Sequence, residues 1–165
     1  MSEKLPQRKK NRLENYDYSS SRTYFITICS AQRVNYFWDN TDTLFNCPKD
    51  VKLSEYGVIV ENAINNISSI YPSVFVEQYV IMSDHIHLLL SIYGDENGRP
   101  MAAPTISRIV NQFKGYVTKC IGKSLWQKLF YDHIIRNKQD YDEHMKYIYE
   151  NPMRWYYKQF ENIDD

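Results

Sequence analysis

Cysteine is scarce and scattered: Cys29, Cys47 and Cys120 in a chain of 165 residues. An odd number with no C-x-x-C pair argues against a disulfide framework and against a cysteine-built zinc site, and suits a reducing compartment. No apolar run approaches the roughly 20 residues that a membrane span needs. The opening segment, from Met1 to Lys10, is polar and basic where a secretory signal would be apolar, so a cytoplasmic protein with no membrane partner is expected. Net charge is also lacking, since 20 basic residues balance 20 acidic ones. The charge is unevenly placed, however. Arg99, Arg108, Lys114, Lys119, Lys123, Lys128, Arg136 and Lys138 fall in one stretch that holds Asp132 as its one acidic residue. Such clustering either attracts phosphate or marks solvated helix faces.

Residues 1–21 are polar and basic and read as a flexible tail; residues 22–165 read as a single domain without repeats. Tyr24–Cys29 has strand composition, and residues 34–53 show no period and read as a loop. Ser54 caps an expected helix whose apolar residues Val58, Val60, Ala63, Ile64, Ile67 and Ile70 precede Pro72. Phe75–Met82 and His85–Tyr93 read as strands joined by a turn at Ser83-Asp84, and Gly94–Pro104 as a loop. Thr105 caps a second helix, with Ile106, Ile109, Val110, Phe113, Val117 and Ile121 as its stripe and Gly122 at its end. A strand over Leu129–Ile135 and a helix over Lys138–Asn151, ending at Pro152, complete the chain. This order predicts an α+β fold of the ferredoxin-like, split βαβ kind: an antiparallel sheet with helices on one face, plus an extra C-terminal helix able to cover the other.

The sharpest chemical feature is Asp84-His85-Ile86-His87-Leu88-Leu89-Leu90. Residues two apart on a strand share a face, so His85 and His87 project together while Ile86, Leu88 and Leu90 turn to the core. Two adjacent imidazoles can chelate a metal; they can also be unrelated strand histidines. On the last helix His144, Tyr147 and Asn151 share a stripe. An Asn oxygen suits a hard ion such as Mg²⁺ or Mn²⁺, and a tyrosine there can attack a phosphorus atom or simply pack. Asp84 is either an orienting partner of a metal-bound histidine or a turn residue. His133 either enters the site or bonds Asp132. Trp126 and Phe130 stack on bases or pack, and Arg136 contacts phosphate or caps a helix. Arg108, Lys114 and Lys119 offer a DNA-backbone surface or a solvated face.

Met82-Ser-Asp-His-Ile-His-Leu-Leu-Leu90 resembles the His-hydrophobic-His motif of single-tyrosine HUH transposases. Leu125–Asn137, Asp140-Tyr141 and Tyr147-Ile-Tyr-Glu-Asn-Pro152 are similar to the corresponding stretch of the REP-associated tyrosine transposases, relatives of small insertion-sequence transposases. The resemblance spans roughly residues 22–157. It implies that His85, His87 and Asn151 bind the metal, Mg²⁺ or Mn²⁺, and that Tyr147 is the catalytic nucleophile. Arg108, Lys114, Lys119, Trp126 and Arg136 are the DNA-binding candidates, with Asp84 and His144 supporting the site. It further implies a nucleoid-associated nickase that cuts and rejoins single-stranded DNA beside hairpins through a 5′-phosphotyrosine. Its partner is single-stranded or hairpin DNA, and it acts either as a monomer or as a homodimer that exchanges tyrosine helices. Two other readings stand beside it. One is a structural zinc protein using His85, His87, His133 and His144. The other is a catalytically silent nucleic-acid-binding module, although the glycine- and aromatic-rich signature of RNA-binding split βαβ domains is missing.

Overall fold

Successive residues of a strand face opposite sides of the sheet, and strand β1 (Arg22–Cys29) supplies apolar residues to both. Ile26 and Ile28 enter one core, Phe25 the other. The computed structural model describes residues 22–39, 51–94 and 104–161, with side chains as far as 158. The expected tail at 1–21 and most of the expected Gly94–Pro104 loop lie outside these residues. After β1 come a short 3-10 turn (Ala31–Arg33), α1 (Glu55–Asn65), α2 (Ile67–Ile70), β2 (Val74–Ile81), β3 (His85–Ile92), α3 (Ile106–Ile121), β4 (Tyr131–Ile134) and α4 (Lys138–Glu161).

The strands lie in the order β2-β3-β1-β4, each antiparallel to its neighbour. With α1 ahead of β2 and α3 between β3 and β4, this is the expected split βαβ arrangement. On one face Val60, Ala63 and Ile64 of α1 and Ile109, Val110, Phe113 and Val117 of α3 pack on Ile26, Ile28, Ile86, Leu88 and Leu90. On the other, Ile148 of α4 packs on Phe25 and Leu89. The last helix therefore covers the second face, and the histidine side of β3 is no open platform. Leu89 is fully buried. Leu89→Ala is expected to destabilise the fold by about 2–5 kcal/mol, the usual cost of a buried leucine truncation, read from the midpoint of urea unfolding.

The helix ends follow their local signals. Thr105 Oγ1 accepts from the Arg108 amide at 3.2 Å, and Gly122 closes α3 at φ 84°, a left-handed conformation that glycine adopts without strain. Four expectations need correction. The helix expected as far as Ile70 breaks at Asn66, and Val58 and Ile70 are 45% and 57% exposed because they lie off the buried face. The supposed loop over 34–53 contributes Phe37, fully buried, and a β-bridge between Trp38 and Leu53. The fourth strand is shorter than Leu129–Ile135, and Leu129 is exposed.

The largest correction is α4, which does not stop at Pro152 but runs through it to Glu161. Proline inside a helix removes one N–H and crowds the carbonyl four residues back, at a cost of about 3 kcal/mol. Contacts beyond the proline offset this. Trp155 meets Trp38 edge-on at 4.9 Å, and Arg154 donates back to Glu150 at 3.0 Å. Among the described residues no helix is long and apolar enough to cross a membrane.

Candidate functional site

Strand β3 pairs with β1 so that His85 faces Cys29 and His87 faces Thr27. Both imidazoles lie on the α4 side, with ring centroids 4.7 Å apart and planes at 75°. Each is held through Nδ1. The Asp84 carboxylate lies 2.6 Å from His85 Nδ1, and Thr27 Oγ1 lies 2.8 Å from His87 Nδ1. A proton on each Nδ1 leaves each Nε2 as the free lone pair. Nε2 of His87 is buried and has no hydrogen-bond partner. Asp84 is itself fixed by Arg33, whose Nε lies 2.8 Å from Oδ2.

The surroundings keep the pair neutral. Burial, then His85 and Arg33, push His87 down from 6.5 to about 3. Burial also lowers His85, against the opposing pull of Asp84. Between pH 6.5 and about 3 the unfolded chain binds a proton at position 87 that the folded chain refuses. Stability is therefore complete above pH 6.5 and falls as pH drops through that window. Melting temperatures in chelator across this range should show the slope, and His87→Gln should flatten it. An unchanged slope in the variant would refute the assignment.

Tyr147 stands across from this pair, its ring edge-on to His87 at 5.2 Å and to Phe25 at 5.9 Å. It is 38% exposed, so the ring is held while solvent reaches it. The neighbouring Tyr149 is 78% exposed and is not among the residues that line the cleft. Asn151, one turn on, is buried. His85, His87, Tyr147 and Asn151 line one open cleft of about 660 Å³ together with Thr27, Arg33 and Arg154. Arg154 lies over the Tyr147 ring at 5.7 Å.

Arg33, Thr27, Arg154 and Lys158 were not foreseen as site residues. Tyr147, Asn151, Arg154 and Lys158 form one i, i+4, i+7, i+11 stripe, visible once the helix is carried through Pro152. Arg33 had no sequence signal. Gln32 and Arg33 sit at φ 54° and 56°, left-handed conformations that cost non-glycine residues about 1–2 kcal/mol each. Strained backbone beside a cleft is a frequent companion of function.

The expected DNA-facing residues are dispersed. Lys114 is buried, and its ammonium donates to the carbonyls of Gln127 and Leu129 at 2.9 and 3.4 Å, so it staples a loop instead of facing solvent. Trp126 is buried against Phe37 and Phe113 and is a packing residue. Arg108 and Lys119 are exposed on α3, across the sheet from the histidines. Arg136 is exposed before α4, its amide bound to Asp140 at 2.9 Å.

His133 bonds Asp140, not Asp132: its Nε2 lies 2.9 Å from Asp140 Oδ2. His144 Nδ1 lies 3.1 Å from Asp140 Oδ1, and the two imidazoles stack at 4.9 Å. Burial pushes the Asp140 carboxyl up, but the Arg136 amide and the two histidines outweigh it and hold it below the usual range. The Phe25 ring lies against both His87, at 5.1 Å, and His144, at 4.6 Å. The four histidines thus form two separate pairs, and the four-histidine zinc site of the alternative reading is not assembled.

The split βαβ sheet backed by helices, with this cleft on its α4 face, is an architecture shared with a transposase of known structure. Its structure matches that of a REP-associated tyrosine transposase bound to a REP hairpin with a TM-score of 0.57, covering 88% of this chain and 74% of that one at 21% identity. No family model matches the chain. Among its sequence relatives is an uncharacterized protein of Haemophilus influenzae, 31% identical over 90% of this chain and 89% of the relative. A second protein of that organism, provisionally described as a REP-associated tyrosine transposase, is 24% identical over 86% of this chain and 77% of its own length. The REP-associated tyrosine transposase of Escherichia coli is 31% identical over 48% of this chain and 44% of its own. These similarities of sequence and fold support membership of the REP-associated tyrosine transposase family.

Proposed function

We propose that this protein is a metal-dependent transposase that nicks and rejoins single-stranded DNA beside hairpins, with Tyr147 as nucleophile. The observation that carries the reading is the buried, partnerless Nε2 of His87, a residue of the cleft that Tyr147 and Asn151 also line. A buried polar atom without a partner is costly unless something binds it. The donor set fits a divalent ion: two neutral imidazoles presenting Nε2, each oriented through Nδ1, and the amide oxygen of Asn151. Mg²⁺ or Mn²⁺ held by His85, His87 and Asn151 would polarise a non-bridging oxygen of the scissile phosphate.

The chain's own residues do the rest. The Tyr147 phenol loses its proton and its oxygen attacks phosphorus. The bond from phosphorus to the 3′-oxygen breaks, that oxygen takes up a proton, and the 5′-phosphate remains on tyrosine. Attack by another strand's 3′-hydroxyl reverses the step and reseals the backbone with no external energy source. Arg33 and Arg154 line the cleft as positive charge for the phosphates on either side. Residues 22–165 act as one such domain, with the basic tail at 1–21 adding phosphate affinity. The Tyr147 ring lies 5.2 Å from that of His87 in the same chain, which supports a tyrosine supplied in cis.

The test is incubation of the protein and Mn²⁺ or Mg²⁺ with hairpin DNAs bearing single-stranded flanks, drawn from around its own gene. A metal-dependent covalent adduct on a denaturing gel is the expected result. Tight binding with no adduct on any of these DNAs would instead favour the catalytically silent module.

A further inference from the structure

We infer that His133, Asp140 and His144 form a second metal site, suited to a zinc-class divalent cation, which pins strand β4 to the first turns of α4. Nothing in the proposed cleavage chemistry uses these three residues. Their ligand atoms all lie within 4.8 Å of one another. They come from different elements: His133 from β4, opposite Phe25 in the sheet register, and Asp140 and His144 from successive turns of α4. An ion held by all three would therefore cross-link the edge strand to the helix.

The donor chemistry selects the ion. Two imidazole nitrogens and one carboxylate oxygen suit Zn²⁺ or Co²⁺, whereas Mg²⁺ prefers an oxygen shell. The side chains are accessible enough for an ion to reach, at 27%, 17% and 22% exposure. Three protein ligands leave a fourth position for water. The carboxylate is already aimed, because the Arg136 amide donates to Asp140 Oδ2 at 2.9 Å and the Asn137 side chain accepts from the Asp140 amide at 2.9 Å. His144 Nδ1 also lies 2.8 Å from the Asp140 backbone oxygen. Ligation through Nδ1 would shift its proton to Nε2, so that the imidazole stays neutral. That oxygen keeps the His144 amide as its ordinary helical donor.

The consequence reaches Tyr147. Asp140, His144, Tyr147 and Asn151 occupy one stripe of α4, so fixing the first two fixes the register at which the helix presents the others. The second site thus positions the helix and touches no reacting atom. Its existence does not rest on Tyr147 being the nucleophile.

The experiment is titration of full-length His85→Ala/His87→Ala protein with Zn²⁺ alone by calorimetry, and with Co²⁺ by visible absorption. One equivalent should still bind. The Co²⁺ spectrum should show tetrahedral or five-coordinate d–d bands without the thiolate charge-transfer band that cysteine ligation would add. Adding Asp140→Asn or His144→Gln should weaken binding by more than about tenfold. Zn²⁺ should also raise the melting temperature of the parent by several degrees and leave Asp140→Asn unmoved. If the double histidine variant does not fold, the same titration of the native-sequence chain against Asp140→Asn should show one equivalent fewer in the variant. Equal stoichiometry and affinity with and without Asp140, or a thiolate band in the Co²⁺ spectrum, would overturn the site. Adduct formation on hairpin DNA is scored separately, so failure here leaves the cleavage reading intact.

Discussion

His87→Ala is expected to lower metal-dependent DNA cleavage by at least about a hundredfold. That figure is the upper end of the roughly 10–100-fold cost of losing a group that merely supports a metal ligand, and His87 is placed as a ligand itself. The expectation follows from its position. His87 is 4% exposed, its Nδ1 is held by Thr27, and its Nε2 has no other use in the fold. Leaving a buried imidazole nitrogen unpaired is costly for a histidine kept for packing alone. Alanine also leaves a hole beside Phe25, so the melting temperature should be measured alongside. His87→Gln, which refills most of that volume, should be as inactive as alanine but closer to native in stability. Cleavage at near-native rate by a folded His87→Gln protein would remove the imidazole from the chemistry.

Tyr147→Phe should lose the covalent adduct altogether. Deleting the nucleophile of a hydrolase costs on the order of 10⁶ in rate, which would place any residual reaction below detection. The substitution is unusually clean here. The ring's contacts with His87, Phe25 and Arg154 need only its aromatic body, and the residue is 38% exposed. Stability and hairpin affinity should stay within about 0.5 kcal/mol of native, the usual range for a surface change away from special features. Loss of the adduct with retained DNA binding separates a nucleophile from a packing residue.

Much of this architecture is legible in the residues themselves. The alternation in Asp84–Leu90 placed both histidines on one face because a strand has period two. Ser54, Thr105 and Gly122 marked helix ends through chemistry that depends on the neighbouring backbone alone. Readings failed where tertiary contacts overrode local rules. Pro152 reads as a stop, yet the packing of Trp155 on Trp38 carries the helix onward, and with it Arg154 and Lys158. Those contacts join residues more than a hundred positions apart, which no local pattern records. Lys114 reads as a surface cation because its burial depends on a loop that folds back over it. Arg33 reaches Asp84 only because two successive residues adopt a left-handed backbone, and Gln-Arg carries no signal for that. The Asp140 cluster was half legible. His144 belonged to a visible helix stripe, but the pairing of β4 with β1 was needed to bring His133 to it.

The account turns on which atom becomes bonded to DNA. Protein trapped with a hairpin substrate and Mn²⁺, digested with protease and nuclease, can be mapped by tandem mass spectrometry for the residue bearing the nucleotide remnant. The account predicts a 5′-linked nucleotide on Tyr147. A remnant on Tyr149 or any other residue, or cleavage that proceeds with no protein-bound nucleotide, would contradict it.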